Sequence, residues 1–207
     1  MKCRVINLDY RVDRWERMKK EMENIKSVKM ERVSGIRERD VSGYINCGMS
    51  HIKIIEESIK KGEGNILIME DDCWILDKRN FDERWEKIRR YLDEREDWDI
   101  FLGGALRVEP IEVVDEELRI VRIRNQSTMH FAYINRRCFD KIIGWDKKNA
   151  IDRLYRQYED MVYLTTEPYL CVQHKDYSDI SEKKVDFHKS FRICQERIEK
   201  FIKDKNI

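Results

Sequence analysis

Residues Asn65 to Asp72 read Asn-Ile-Leu-Ile-Met-Glu-Asp-Asp, four apolar residues running straight into three acids. An uninterrupted apolar run suits a strand buried on both faces, the usual state in a parallel sheet. Glu70, Asp71 and Asp72 then fall at its carboxyl end, where open α/β sheets bind ligands. Carboxylates held there suit a hard divalent cation and the phosphates it carries. In a chain that is 40% charged, the competing reading is a solvated acidic loop.

Two further stretches could serve such a site. Asn7-Leu8-Asp9-Tyr10-Arg11-Val12-Asp13-Arg14 sits where a first strand hands over to a helix. Arg11 and Arg14 lie near a helix N-terminus that itself favours anions, and guanidinium groups suit a diphosphate. Ordinary surface arginines are the alternative. Cys47-Gly48-Met49-Ser50-His51 reads as a second helix start, where Gly48 admits a close backbone approach and Ser50 can cap or touch a ligand. A lone His51 is more often structural than a ligand. Paired acids at a strand end support either transfer from a nucleotide-activated donor or metal-assisted phosphodiester cleavage.

The elements that must position these groups follow from periodicity. Cys3 to Leu8 predicts a strand, followed by a helix capped by Asp13 with Trp15, Met18, Met22 and Ile25 on one stripe. Met30 to Val33 predicts a strand ending at Ser34-Gly35, and Gly48 to Ile59 a helix facing inward through Met49, Ile52, Ile55 and Ile59. Phe81, Trp85, Ile88 and Leu92 mark another amphipathic helix before a strand over Asp99 to Leu102. Runs at Ile111 to Val114 and Leu118 to Ile123 predict a hairpin. Met129 to Ile134 and Tyr169 to Val172 predict strands, Arg136 to Ile143 a short helix, and Phe191, Cys194, Ile198 and Phe201 a terminal helix. Alternating β and α in the first half implies a doubly wound sheet, with a more mixed second half.

Composition narrows the function. Forty-two basic residues against 41 acidic ones leave a net charge of +1, which offers no general attraction to nucleic acid or an anionic membrane. No stretch approaches the roughly 18 apolar residues of a transmembrane span, and no secretory signal opens the sequence. Six cysteines are scattered without a C-x-x-C pair, so reduced core residues are expected rather than disulfides or a zinc site. These features predict a soluble, cytoplasmic chain.

The motifs also share an order. Val5 to Asp9 with Arg11, Asp13 and Arg14, then Cys47 to His51, then Ile66 to Asp72, resemble successive elements of glycosyltransferase family 25. That family includes bacterial lipopolysaccharide glycosyltransferases and procollagen galactosyltransferases, and similar short domains occur in large DNA viruses. Trp98 to Gly103 resembles its "WDI-x-x-LG" strand, His130 to Ile134 its "hAYlI" strand, and Ala150-Ile151-Asp152 its "P-V-D" element. Gln173 with Ser178-Asp179-Ile180 resembles its closing "Q…SDI". The resemblance spans residues 3 to 181. It departs where Val12 replaces an expected proline and Ala150-Ile151 precede Asp152.

The resemblance implies a single α/β domain over residues 1–207 of GT-A (Rossmann-like) type, with a mixed, mostly parallel central sheet flanked by helices. The nucleotide-sugar half would cover about residues 1–104, the acceptor half about 105–190, and a C-terminal helix about 189–205. It further implies an inverting transferase using Mn²⁺ or Mg²⁺, with a UDP-sugar donor and a glycan or glycoprotein acceptor; a viral member would act in the host cytoplasm. Glu70-Asp71-Asp72 would be its DxD-type motif, with Asp72 and Glu70 on the metal, Glu70 and Asp71 on the donor, and His174 or His188 as an added ligand. Asn7, Leu8, Arg11, Arg14, Val33, Ser34, Gly35, Gly48 and Ser50 would line the nucleotide pocket. Asp152 is the leading general base, with Asp99, Asp146, Glu159 and Asp160 as alternatives. A catalytically silent nucleotide-sugar or glycan-binding module and a metal nuclease are the competing functions.

Overall fold

The computed structural model describes residues 1–205. Strand β1 (Lys2–Asn7) leads through helix α1 (Val12–Glu21) to β2 (Lys29–Ser34), and α2 (Gly43–Lys60) leads to β3 (Ile66–Glu70). A short β4 (Cys73–Ile75) and α3 (Phe81–Asp93) precede β5 (Ile100–Leu102) and the hairpin β6 (Glu109–Asp115) and β7 (Ile120–Arg124). Then come β8 (Phe131–Ile134), α4 (Phe139–Ile143), β9 (Tyr163–Thr166), β10 (Cys171–Gln173), β11 (Asp176–Ser178), β12 (Lys183–Val185) and α5 (His188–Asp204). Short 3-10 turns cover Arg136–Cys138 and Ile151–Arg156.

Eight strands form the main sheet in the order β2-β1-β3-β8-β5-β9-β7-β6. From the pairings, β1, β2, β3, β5, β6 and β9 run one way and β7 and β8 the other. The sheet is therefore mixed but mostly co-directional, and helices cover both faces. Strand β3 shows why its apolar run is unbroken. Ile66 and Ile68 enter the core with Ile54 and Ile55 of α2, while Leu67 and Met69 enter the core with Trp85 and Ile88 of α3. Each such side chain contributes roughly 1.5–3 kcal/mol on full burial. Trp85 packs edge-on against Phe131 and Tyr133, with centroids 5.2 and 5.3 Å away, fixing α3 across β8.

Three local expectations are corrected. Arg11, not Asp13, occupies the N-cap position of α1, and Asp13 lies in the first turn, where an acid suits the helix dipole. Helix α2 begins at Gly43, so Gly48 lies inside the helix rather than at its start. Its missing side chain admits Trp145, whose ring would lie 2.3 Å from an added Cβ. The strand expected near Tyr169 forms as β10, but pairs with β4 in a separate two-stranded ribbon outside the main sheet.

Candidate functional site

The carboxyl ends of β1 and β3 open into a cavity of about 310 Å³. Its wall includes Ile6, Leu8 and Arg14 from the first strand-to-helix turn, Gly35 to Arg39 after β2, and Cys47 and Ser50 from α2. Glu70, Asp71 and Asp72 contribute from the end of β3, and Gln173, His174 and the segment after β11 close the far side.

The three acids have different surroundings. Asp71 is buried and uses both oxygens, accepting from Asn7 Nδ2 at 2.6 Å and from Arg14 NH1 at 2.8 Å. Glu70 is half-buried and points its Oε1 to α2, 3.1 Å from His51 Nε2, where it also accepts from the Cys47 thiol at 3.5 Å. Burial pushes the Glu70 carboxyl up, but the His51 hydrogen bond and charge outweigh it and hold the group below its usual value. Asp72 has no comparable partner. Its Oδ1 is buried without a hydrogen bond, and its Oδ2 meets only Gln173 Nε2 at 3.4 Å. Burial, followed by the charge of Glu70, pushes Asp72 up to about 7.

A carboxyl raised in the folded state stabilises the fold below its unfolded value and loses that contribution as pH rises through the folded one. The metal-free chain is therefore expected to melt at a higher temperature near about pH 5 than near about pH 8 on account of Asp72. Asp72→Asn should flatten that part of the profile. Melting curves for the two proteins across this range are the check, and identical profiles would remove Asp72 as the cause.

The other expected site residues divide. Leu8, Arg14, Gly35 and Ser50 line the cavity together with the acids and His174, whereas Asn7, Arg11, Val33, Ser34 and Gly48 do not. Asn7 is fully buried beneath the wall, holding Asp71 and accepting from Arg32 Nε at 2.8 Å. Arg11 is taken up by the chain's own carboxylates, Asp13 and Asp179. Val33 packs on the core and the Ser34 hydroxyl donates to Asp9 at 2.8 Å. Ser50 fixes the wall by accepting from the Ile36 backbone N–H at 2.8 Å while donating to Asn46 O. His174 donates its Nδ1–H to Lys175 O and rests against Trp74, with ring centroids 4.6 Å apart. His188 lies outside the cavity wall, at the start of α5.

Asp152 also lies off the cavity wall. Its Oδ2 accepts from Thr128 N–H at 2.7 Å, and its Oδ1 is buried without a partner. Burial raises its pKa, with Glu70 adding to the rise. Among the alternatives, Asp99 is buried and bonds Arg137 Nε and Val162 N–H, and Asp160 pairs with Lys141 at the surface.

Several contributors were not visible in the sequence. Arg37 and Arg39 bring positive charge to the cavity, Arg37 standing 4.7 Å above the Tyr10 ring. Their spacing directly after Ser34-Gly35 was the available signal. The β11–β12 hairpin straps that far side through Asp176, which contacts Arg17 at 2.7 Å and Arg14 at 3.4 Å. Ile180 of this strap packs so close to α2 that a Cβ on Gly43 would lie 2.8 Å from its Cα. Among the described residues, two groups of metal-ligating side chains have all their ligand atoms within 4.8 Å of one another: Cys47, His51 and Glu70, and Cys73, His130 and Cys171. The expected trio of Asp72, Glu70 and His174 is not drawn together in that way.

The strand order, the covered sheet and the acid-floored cavity define an α/β domain of GT-A type. A glycosyltransferase involved in the glycosylation of the major capsid of PBCV-1 shares this fold with a TM-score of 0.50 at 10% identity, over 96% of this chain and 98% of that one. The protein A197 from STIV superimposes with a TM-score of 0.48 at 10% identity, over 89% of this chain and 92% of its own. Within that class, the chain resembles glycosyltransferase family 25. It is 34% identical over 76 residues to a probable inactive glycosyltransferase 25 family member 3 of Rattus norvegicus. That match takes in 36% of this chain and 13% of the relative's length. No family model matches the sequence. Among the described residues, no helix is long and apolar enough to cross a membrane.

Proposed function

We propose that this domain is a metal-dependent, inverting glycosyltransferase. It would move a sugar from a nucleotide-diphosphate donor, a UDP-sugar, to a hydroxyl of a glycan or glycoprotein acceptor. The observation that carries the reading is Asp72, a half-buried carboxylate whose Oδ1 is buried without a partner on the wall of the cavity at the strand ends. A cavity of about 310 Å³ is within the range of small-molecule sites.

The donor set fits Mn²⁺ or Mg²⁺. Asp72 and Glu70 offer hard oxygen ligands, whereas both oxygens of Asp71 are already engaged by Asn7 and Arg14. Asp72 with Glu70 would hold the ion, and His174 borders the same space. When bound, the ion supplies positive charge to the diphosphate as it leaves. The chain's own groups do the rest. Arg37 and Arg39 bring guanidinium groups to the phosphate side. The strap and Ser50 hold the walls, and His51 fixes the direction of Glu70. Asp152 is the proposed base for the acceptor hydroxyl, its Oδ2 oriented by Thr128 and its Oδ1 without a protein partner.

Isothermal titration with a panel of nucleotide sugars, with and without Mn²⁺, tests this reading. A UDP-sugar is expected to bind at least about tenfold more tightly with the metal, a difference of roughly 1.4 kcal/mol. Failure of every nucleotide to bind would sink the proposal. The rat relative is named as probably inactive, which favours one second reading, a silent nucleotide-sugar-binding module. Metal-dependent binding without transfer or hydrolysis would select it.

A further inference from the structure

Immediately next to the acid triplet, Cys73, His130 and Cys171 converge from three separate parts of the chain. All three are buried, and their ligand atoms lie within 4.8 Å of one another. Cys73 and Cys171 sit on β4 and β10, two register positions apart on the antiparallel ribbon, since Cys73 pairs with Gln173 and Cys171 with Ile75. His130 enters from the residue before β8, held edge-on by Phe191 with centroids 5.4 Å apart.

The contacts within this group are poor for a closed hydrogen-bond network. His130 Nε2 meets only the Cys171 sulfur, at 3.6 Å, and its Nδ1 is buried without a partner. A sulfur at that distance is a weak partner for a buried ring nitrogen, and a metal bond at Nε2 would replace it. The neighbouring group of Cys47, His51 and Glu70 differs, because there His51 already has a carboxylate at 3.1 Å. The 3.6 Å separation has another meaning. For Zn–S of about 2.3 Å and Zn–N of about 2.05 Å in a tetrahedral site, the S···N edge is about 3.6 Å.

We infer that Cys73, His130 and Cys171 form a soft-metal centre that takes Zn²⁺, distinct from the hard-cation site at Asp72. Two thiolates balance the charge of the ion, so the buried centre is neutral, and three protein ligands leave one position open. The ion would tie the β4–β10 ribbon to β8 behind the acids. Cys73 directly follows Asp72, and the His130 carbonyl accepts the Glu70 N–H at 3.0 Å. Its role is to hold the acid-bearing turn in place. The spacing of 57 and 41 residues along the chain hides the centre from any short cysteine motif.

Elemental analysis and Co²⁺ spectroscopy of the full chain test this inference. Wild-type protein is expected to hold about one Zn²⁺ per chain and, on replacement with Co²⁺, to show a thiolate-to-metal charge-transfer band of two-thiolate intensity. Loss of outer contacts alone weakens metal sites by about 10–100-fold, so Cys171→Ser should weaken Zn²⁺ binding at least about 100-fold. Cys47→Ser and Asp72→Ala should both keep the ion. Absence of stoichiometric Zn²⁺ or of the Co²⁺ band in the wild-type chain overturns the inference, whether or not the cysteine variants fold. Loss of the ion in Cys47→Ser or Asp72→Ala also overturns it, by assigning the metal to the neighbouring group or the cavity. Because none of these readouts uses a nucleotide or activity, failure here is separable from failure of the transferase proposal.

Discussion

Asp72→Ala is expected to lower sugar transfer at least about 10³-fold, on the order of 4 kcal/mol of transition-state stabilisation, while leaving the protein folded. The three acids of this turn have unequal partners. Asp71 has both oxygens satisfied by Asn7 and Arg14, and Glu70 is held by His51 and Cys47. Of the three, Asp72 alone keeps a buried oxygen without a partner, at a cavity that Arg14, Arg37 and Arg39 also line. Burial and the Glu70 charge already push its carboxyl up to about 7, so an alanine removes a destabilising ionisation along with a ligand. Loss of turnover with an unchanged or slightly raised melting temperature is therefore the signature. Transfer rates at saturating donor and Mn²⁺, set beside a thermal melt, provide the measurement. Wild-type turnover in the variant would remove Asp72 from the metal site, and a collapsed melt would show that the residue is structural instead.

The elements were readable because their signals are local. The stripe of Phe81, Trp85, Ile88 and Leu92 predicts a helix, and all four side chains are buried in α3. Ile66 to Met69 predicts a strand with two buried faces, and β3 divides its side chains between two core clusters. The start of α2 is not legible, because Gly48 looks like a boundary from sequence while its missing side chain admits the Trp145 ring nearly 100 positions away. The antiparallel insertion of β8 between β3 and β5 was likewise hidden. Strand periodicity reports which face is buried, not which neighbour covers it. The candidate site divides on the same principle. The acids and Arg14 stood out by type and position. The use of Arg11 by Asp179, the His51 contact to Glu70 and the Cys73, His130 and Cys171 group depend on distant pairings that no short spacing records.

Asp71 follows the same turn but serves the fold, and its removal should be felt first in stability. Arg14 is buried and reaches Asp71 at 2.8 Å, Asp176 at 3.4 Å and the Tyr177 carbonyl at 2.7 Å. Burial opposes the guanidinium charge, but the charges of Asp71 and Asp72 outweigh it and hold the group protonated. Asp71→Ala strips away the shortest of these carboxylate contacts and also leaves Asn7 Nδ2 with only the Arg11 carbonyl. Breaking a buried ion pair from one side costs about 3–5 kcal/mol, because the remaining charge is left uncompensated. The lower end, about 3 kcal/mol, is expected because Asp176 continues to face Arg14. Removing both charges should be milder, so Asp71→Ala combined with Arg14→Met should recover stability relative to Asp71→Ala alone. Urea denaturation of the two single variants, the double variant and the wild type measures the coupling. A double variant whose loss equals the sum of the single losses would mean that the pair makes no net contribution, and that Arg14 is held by the strap alone.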